Sequence, residues 1–443
     1  MNNFFDDKLL LSNDTAQKIY NNIKDLPIID YHCHLDEKQI AENKSFSDIG
    51  ELWLSTDHYK WRAMRLCGVD EYYITGKASY KDKFLKYAQI MPKLIGNPLY
   101  YWTHMELKTV FGINTPLNIN TAEQVYIKAN QKLKDINVQS ILKQFKVEYI
   151  ATTDDPVSNL EHHGFYKNTS VVPTFRPDRI FKWEDNYIKQ LAQKADMEIN
   201  NLDDLKKAYE KRLLFFITKG CVLADHGMDF LPSEDIDENA AEKLFLNRKR
   251  LNSIEHHSLF SHLIYFLAGL YKKHGLTMQL HFGTYRNINE KMFKSIGADS
   301  GMDVMRSYVD TDKLAIFLNE LNSRDWLPKT VLYSLNPSAI KAIAVISGAF
   351  KDVLVGSAWW FNDTVQGIKD QLSVIAEYAA LGTNLGMLTD SRSFTSYVRF
   401  DFFRRILADY LGCLVNKGEC DIDAAISVAH DICYNNVKDF LKT

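Results

Sequence analysis

Long apolar runs are missing from this chain: none approaches the roughly 18 residues a membrane-spanning helix needs, so no membrane partner is expected. A basic leader is missing too. The opening MNNFFDDKLLLSND carries acids where a secretory signal carries lysine or arginine, and a cytoplasmic protein is expected. The six cysteines (Cys33, Cys67, Cys221, Cys413, Cys420, Cys433) lack CxxC spacing, which argues against a disulfide framework or a zinc knuckle and for reduced thiols. There is no basic stripe and no phosphate-cradling GxxxxGK[ST] loop. With a net charge of −3 and both signs interspersed, nothing points to nucleic acid, and a small-molecule substrate becomes the default. Internal repeats and Pro/Gly-rich linkers are also absent, so residues 1–443 read as one elaborated domain.

What is present is a rhythm. Short β-branched or apolar runs, each ending in polar residues, recur with helix-length stretches between them. They are LPIIDYHCH (26–34), VEYIATTDD (147–155), SVVPTFRPD (170–178), KGCVLADHG (219–227), LTMQLHFGTYR (276–286), KTVLYSLNP (329–337), KDVLVGSAWWFND (351–363) and LGMLTDSR (385–392). Eight strands alternating with helices point to an α/β fold, a closed (β/α)8 TIM-like barrel. A doubly wound open sheet is less favoured, because no Gly-rich fingerprint follows the first strand. Residues 37–145 show helical spacing with N-cap-like starts and read as a large helical insertion after the first strand, over the barrel mouth.

In a barrel all the strand ends lie on one rim, where active sites are built. Here those ends supply His32, His34, Asp154, Asp155, Arg176, Asp178, Asp225, His226, His281, Arg286, Asn336, Trp359, Trp360, Asn362, Asp363, Asp390 and Arg392. In an extended chain His32 and His34 share a face with Asp30 while Cys33 turns away. Two such imidazoles with Asp390 from the adjoining strand make an N,N,O set with room for water or substrate, as a catalytic zinc site requires; His281 stands across the rim. Packed or surface histidines are the plainer alternative for the HxH pair alone. In TDHYKWRAMR (56–65), His58 and Tyr59 could descend over the mouth, although Tyr and Trp on an amphipathic helix commonly serve packing. Arg176 and Arg392 suit an anionic ligand held by a planar fork; for Arg176 a plain salt bridge to Asp178 or Asp225 is the competing reading.

IDYHCHLD, TDHYKWRAMR, TFRPD, LHFGTYRN, GSAWWFND and LTDSRSF, in that order from residue 29 to 394, closely resemble the uronate isomerase (glucuronate isomerase) family of the amidohydrolase superfamily. The resemblance implies interconversion of D-glucuronate with D-fructuronate and of D-galacturonate with D-tagaturonate. It implies one divalent ion, expected to be Zn2+, on His32, His34 and Asp390, with His281 either a ligand or a substrate contact. It implies His58 and Tyr59 in the active site, and Arg176, Asp225, Arg286, Trp359 or Trp360, and Arg392 facing the sugar acid. Tyr59 as proton carrier would need positive charge beside it, from Arg392 or the ion. A metal-dependent hydrolase of the same superfamily is the alternative, but the fourth strand lacks the usual lysine and the sixth the usual histidine. Large barrels with helical additions often form homo-oligomers, and the sequence leaves the number of subunits open.

Overall fold

The computed structural model describes residues 4–441. Seven strands form one curled parallel sheet: β1 Ile28–Asp30, β2 Val147–Asp154, β3 Thr169–Phe175, β4 Leu223–Gly227, β5 Thr277–Phe282, β6 Thr330–Ser334 and β7 Val353–Val355. Each pairs with its neighbour in chain order, and every pairing along this path is parallel. Parallel neighbours need crossovers, and helices such as Leu202–Thr218, Ser253–His274 and Thr311–Ser323 supply them. Ile29, Tyr31, Tyr149, Ala151, Leu223, Val331 and Tyr333 form one buried cluster contributed by β1 or its extension, β2, β4 and β6.

Two features differ from the expected alternation. Between β2 and β3 there is no helix; Gly164–Tyr166 folds back antiparallel on β3 as a hairpin. The stretch holds Pro156 and Gly164 and no apolar period, so it cannot build a buried helical face. The eighth segment, 385–392, joins no strand ladder. It still closes against the first: Asp390 N donates to His32 O (3.1 Å) and His34 N to Ser391 O (3.0 Å). Two left-handed residues interrupt its extended run, Gly386 at φ 68° and Asp390 at φ 46°.

Residues 37–145 are helical, from Glu37–Ala41 to Val138–Gln144, apart from one isolated bridge between Ser45 and Asn137. Their apolar faces share one buried cluster with the N-terminal helix Asp14–Ile23 and the closing helix Val398–Asn416. Among the described residues no helix is long and apolar enough to cross a membrane. All six cysteines are free thiols.

Candidate active site

A cavity of about 2060 Å3 opens at the C-terminal ends of the strands and is lined by His32, His34, His58, Arg176, His281, Arg286, Trp359, Trp360, Asp390 and Arg392, among others. Small-molecule pockets usually measure about 300–1,000 Å3, so a single sugar would occupy only part of it. Asp225 and the Tyr59 hydroxyl are buried just behind that wall.

At one end of the floor, Asp390 Oδ1 lies 3.3 Å from His32 Nε2 and 3.2 Å from His34 Nε2. The ligand atoms of these three residues lie within 4.8 Å of one another. Bonds of about 2.0–2.1 Å in a tetrahedron put ligand atoms roughly 3.3 Å apart, so these separations fit a divalent ion. The other carboxylate oxygen, Oδ2, accepts from Trp359 Nε1 at 2.7 Å, which orients the group and distinguishes Trp359 from its neighbour. Trp360 instead meets His58 edge-on, ring centres 5.8 Å apart. Burial holds His34 down at about 4, leaving a neutral imidazole able to ligate. Burial opposes charge on Asp390 as well, but His32 and His34 outweigh it and keep the carboxyl well below its usual range. Asp30 does not join this group, because Thr389 N and Oγ1 occupy its two oxygens at 2.9 and 2.6 Å.

His281 belongs to a second grouping, with His32 and Asp225. Its Nδ1 donates to Asp225 Oδ1 at 2.7 Å, and its ring stacks on Tyr333 at 4.3 Å. The neutral ring therefore leaves the Nε2 lone pair buried without a partner, as is His32 Nδ1, 3.9 Å from Asp225 Oδ2. Such buried, unpaired polar atoms are rare, and here they converge where an ion or a substrate hydroxyl would satisfy them.

Guanidinium groups lie beyond Asp225. Arg176 Nη1 meets Asp225 Oδ2 at 3.1 Å, and its Nε donates to Asp178 Oδ2 at 3.2 Å. Both salt bridges weighed against a substrate role are thus present. Asp178 is itself fixed by His226 Nδ1 at 2.9 Å and by Gly227 N at 2.7 Å. Burial disfavours charge on Asp225, but Arg176 and then His281 and His32 overcome it and hold the carboxyl far below its ordinary range. Arg286 is held more loosely, by Asp303 at 3.3 Å and Asp229 at 3.7 Å. The two forks converge over Gly227: a Cβ there would lie 2.4 Å from Arg176 Nη2 and 2.7 Å from Arg286 Nη2. A glycine at this point lets both cations face one anion.

Above the floor, Asp57 caps the helix His58–Leu66 and so aims His58 at the cavity. Arg392 Nη1 donates to His58 Nδ1 at 2.9 Å and its Nη2 to Asp299 Oδ2 at 3.1 Å. A guanidinium can only donate, so His58 Nδ1 accepts and the proton sits on Nε2. Burial, then Arg392, lower the His58 pKa and keep the ring neutral. Tyr59 is partly buried, and its hydroxyl is buried without a hydrogen-bond partner. Arg392 is therefore the cation beside His58 rather than the one beside Tyr59. That place is taken by Arg399, whose guanidinium carbon is 4.7 Å from the Tyr59 ring centre. Sequence reasoning missed Arg399, along with Asp299 and Asp303, because nothing in VRFDFFRR separates a buried arginine from the exposed ones helices usually carry.

Where binuclear hydrolases place a sixth-strand histidine, Asn336 is committed to structure: its Nδ2 donates to Arg306 O and its Oδ1 accepts from Ser338 N, both at 2.9 Å.

Known proteins resemble this chain over nearly its full length. The sequence profile of the glucuronate isomerase family matches residues 1–441. A uronate isomerase of Histophilus somni is 42% identical over 100% of both chains, and one of Shouchella clausii is 43% identical over 99% of this chain and 98% of its own. The crystal structure of uronate isomerase from Thermotoga maritima superposes with a TM-score of 0.96 at 35% identity, covering 99% of this chain and 100% of the other. Profile, full-length relatives and fold agree over nearly the whole chain, and the chain belongs to the glucuronate isomerase family.

Proposed function

We propose that this enzyme interconverts hexuronates with their ketose forms, D-glucuronate with D-fructuronate and D-galacturonate with D-tagaturonate, through a cis-enediol. The observation that carries this reading is the make-up of one cavity: an N,N,O set and, on the same wall, two guanidinium groups that converge over Gly227. A hexuronate offers sugar oxygens to the first and a carboxylate to the second. We read residues 1–443 as one catalytic unit, with 37–145 over the mouth, since His58 and Tyr59 come from that insertion.

His32, His34 and Asp390 would hold one divalent ion, for which Zn2+ is the choice that best suits two imidazoles and a carboxylate. When bound, the ion supplies Lewis-acid polarisation of the sugar oxygens and of the charge that develops on them. Arg286, with the looser ion pairs, binds the C6 carboxylate; Arg176, locked by Asp178 and Asp225, fixes the shape of that part of the wall. Asp390 takes the proton of the anomeric O1–H as the C1–O5 bond breaks and returns it to O5, so the open aldehyde forms with no net proton change. Tyr59 then carries the proton between C2 and C1, with the neutral His58 donating Nε2–H to a substrate oxygen.

In the protein alone, burial and then the Asp363 and Asp390 charges hold the Tyr59 phenol well above its usual value, so it starts as a neutral hydroxyl. It acts as a base only where positive charge opposes those carboxylates. The hydrolase reading is not favoured, because the fourth strand ends without a lysine and Asn336 stands at the sixth.

Proton NMR of D-glucuronate and D-galacturonate with the purified protein in heavy water tests the proposal. Ketose signals should grow in while the C2 proton exchanges with solvent. Unchanged sugars, together with turnover of lactones or cyclic amides, would favour the hydrolase.

A further inference from the structure

Arg399 begins the closing helix Val398–Asn416 and is 1% exposed. A guanidinium buried so completely normally sits in a close two-pronged pair with a carboxylate. Arg399 does not. Its Nη1 donates to Thr389 O at 2.8 Å, the nearest carboxylate oxygen, Asp363 Oδ2, is 3.7 Å away, and Nε has no partner. Its two closest large neighbours are aromatic faces: the guanidinium carbon lies 4.0 Å from the Trp102 ring centre and 4.7 Å from that of Tyr59.

Tyr59 presents the complementary gap. Its hydroxyl is buried and unpartnered, with its ring 6.0 Å from Trp102. The charged and titratable groups around it are Asp363 from the turn after β7, Asp390 from the eighth segment, Arg399 from the closing helix, and His58 from its own helix at a ring separation of 5.1 Å. Among these, Arg399 is the permanent cation. Arg392 is engaged with His58 and Asp299.

We infer that Arg399 is a positioning residue for the isomerisation: stacked between Trp102 and Tyr59, it fixes the Tyr59 ring and supplies the positive charge that lets the phenol give up its proton. The inference rests on the reading of Tyr59 as the C2–C1 proton carrier. Asp363 is the counterweight. Burial pushes its carboxyl up to about 7, so near neutrality it opposes the phenolate only in part. Because Arg399 also holds Thr389 O, next to Asp390, metal content must be followed beside activity.

The test uses the full chain loaded with Zn2+ and the variants Arg399→Met, Arg399→Lys, Asp363→Asn, Tyr59→Phe and the Tyr59→Phe/Arg399→Met double variant. Arg399→Met should keep its metal and its KM while kcat falls by about 100-fold, the scale of one positioned proton-transfer group. The limb of its pH–rate profile that reports the base should move to higher pH. Arg399→Lys should recover most of the loss, and Asp363→Asn should move the same limb to lower pH. If Arg399 works through Tyr59, the double variant is no slower than Tyr59→Phe alone. Should Arg399→Met fail to fold, the direction of the Asp363→Asn shift decides. A limb that stays at its wild-type position in these variants, with Tyr59→Phe inactive, overturns the inference alone. Retained C2 exchange in Tyr59→Phe removes the Tyr59 reading and the inference with it.

Discussion

Buried polar groups are handled differently in the helical insertion and at the cavity floor. In the insertion, Tyr59 apart, the buried charged and imidazole groups are answered, although the indole N–H groups of Trp53 and Trp102 are not. Lys60 Nζ meets Asp57 Oδ2 at 2.7 Å and Glu106 Oε1 at 3.7 Å, Thr395 Oγ1 donates to Glu106 Oε2 at 2.6 Å, and Asp57 Oδ1 caps its helix. His104 uses both ring nitrogens, donating to Tyr100 O at 2.7 Å and accepting from Leu117 N at 3.0 Å. At the cavity His32 Nδ1, His281 Nε2 and the Tyr59 hydroxyl lack hydrogen-bond partners. Neither burial nor a missing partner alone marks a functional group, since Trp53 Nε1 and the Tyr265 hydroxyl also lack partners; unpaired titratable atoms converging on one cavity do. Arg399 stands between the two regions, anchored to backbone on one side and facing an unpartnered phenol on the other.

The largest expected effect falls on the floor. His32→Asn should weaken Zn2+ binding by more than about 100-fold, since even outer partners of metal ligands are worth roughly 10–100-fold, with little change in thermal stability. Metal analysis and a melting curve on the same preparation check this; unchanged metal content would remove His32 from the ligand set. Lys60→Met should do the reverse. It leaves Asp57 and Glu106 buried beside no cation and should cost about 3–5 kcal/mol of stability in denaturant unfolding, with metal content retained.

The seven ladder strands and the helical insertion were legible in the sequence because apolar periodicity survives without tertiary knowledge. That His32, His34 and Asp390 share one rim was legible from the two-residue spacing of the histidines and the polar ends of the segments. The eighth segment was misread as a strand: nothing in LGMLTDSR announces that Asp390 takes a left-handed backbone. The helix expected between β2 and β3 is a hairpin instead, where Pro156 and the lack of an apolar stripe were the available warning. Which arginine serves which partner was not legible at all. Arg392 and Arg399 are seven residues apart; the first reaches His58 from the end of the eighth segment, and the second reaches the Tyr59 ring from the first turn of the closing helix. The two aromatic neighbours Trp359 and Trp360 were likewise separable only through the Asp390 contact.

A smaller effect sharpens the comparison from the insertion side. Burial lowers His104 to about 4, against roughly 6.5 in an unfolded chain. Between those values the unfolded chain takes up a proton that the folded one refuses, so this group's contribution to stability falls as pH falls from about 6.5 to 4. Its full size is about 3 kcal/mol. Unfolding of wild type and His104→Gln compared at pH 7 and pH 4.5 should show the difference between them shrinking in acid. A difference independent of pH would mean His104 is not held neutral.

The central claim is that His32, His34 and Asp390 hold the ion, while the unpartnered atoms of His281 and of the far side of His32 beside them are left for substrate. Anomalous scattering from a crystal loaded with Zn2+, collected on both sides of the metal's absorption edge, locates the ion directly. The account predicts one peak bounded by His32 Nε2, His34 Nε2 and Asp390 Oδ1. A peak seated instead among His32 Nδ1, Asp225 and His281, or no peak at the floor, would contradict it.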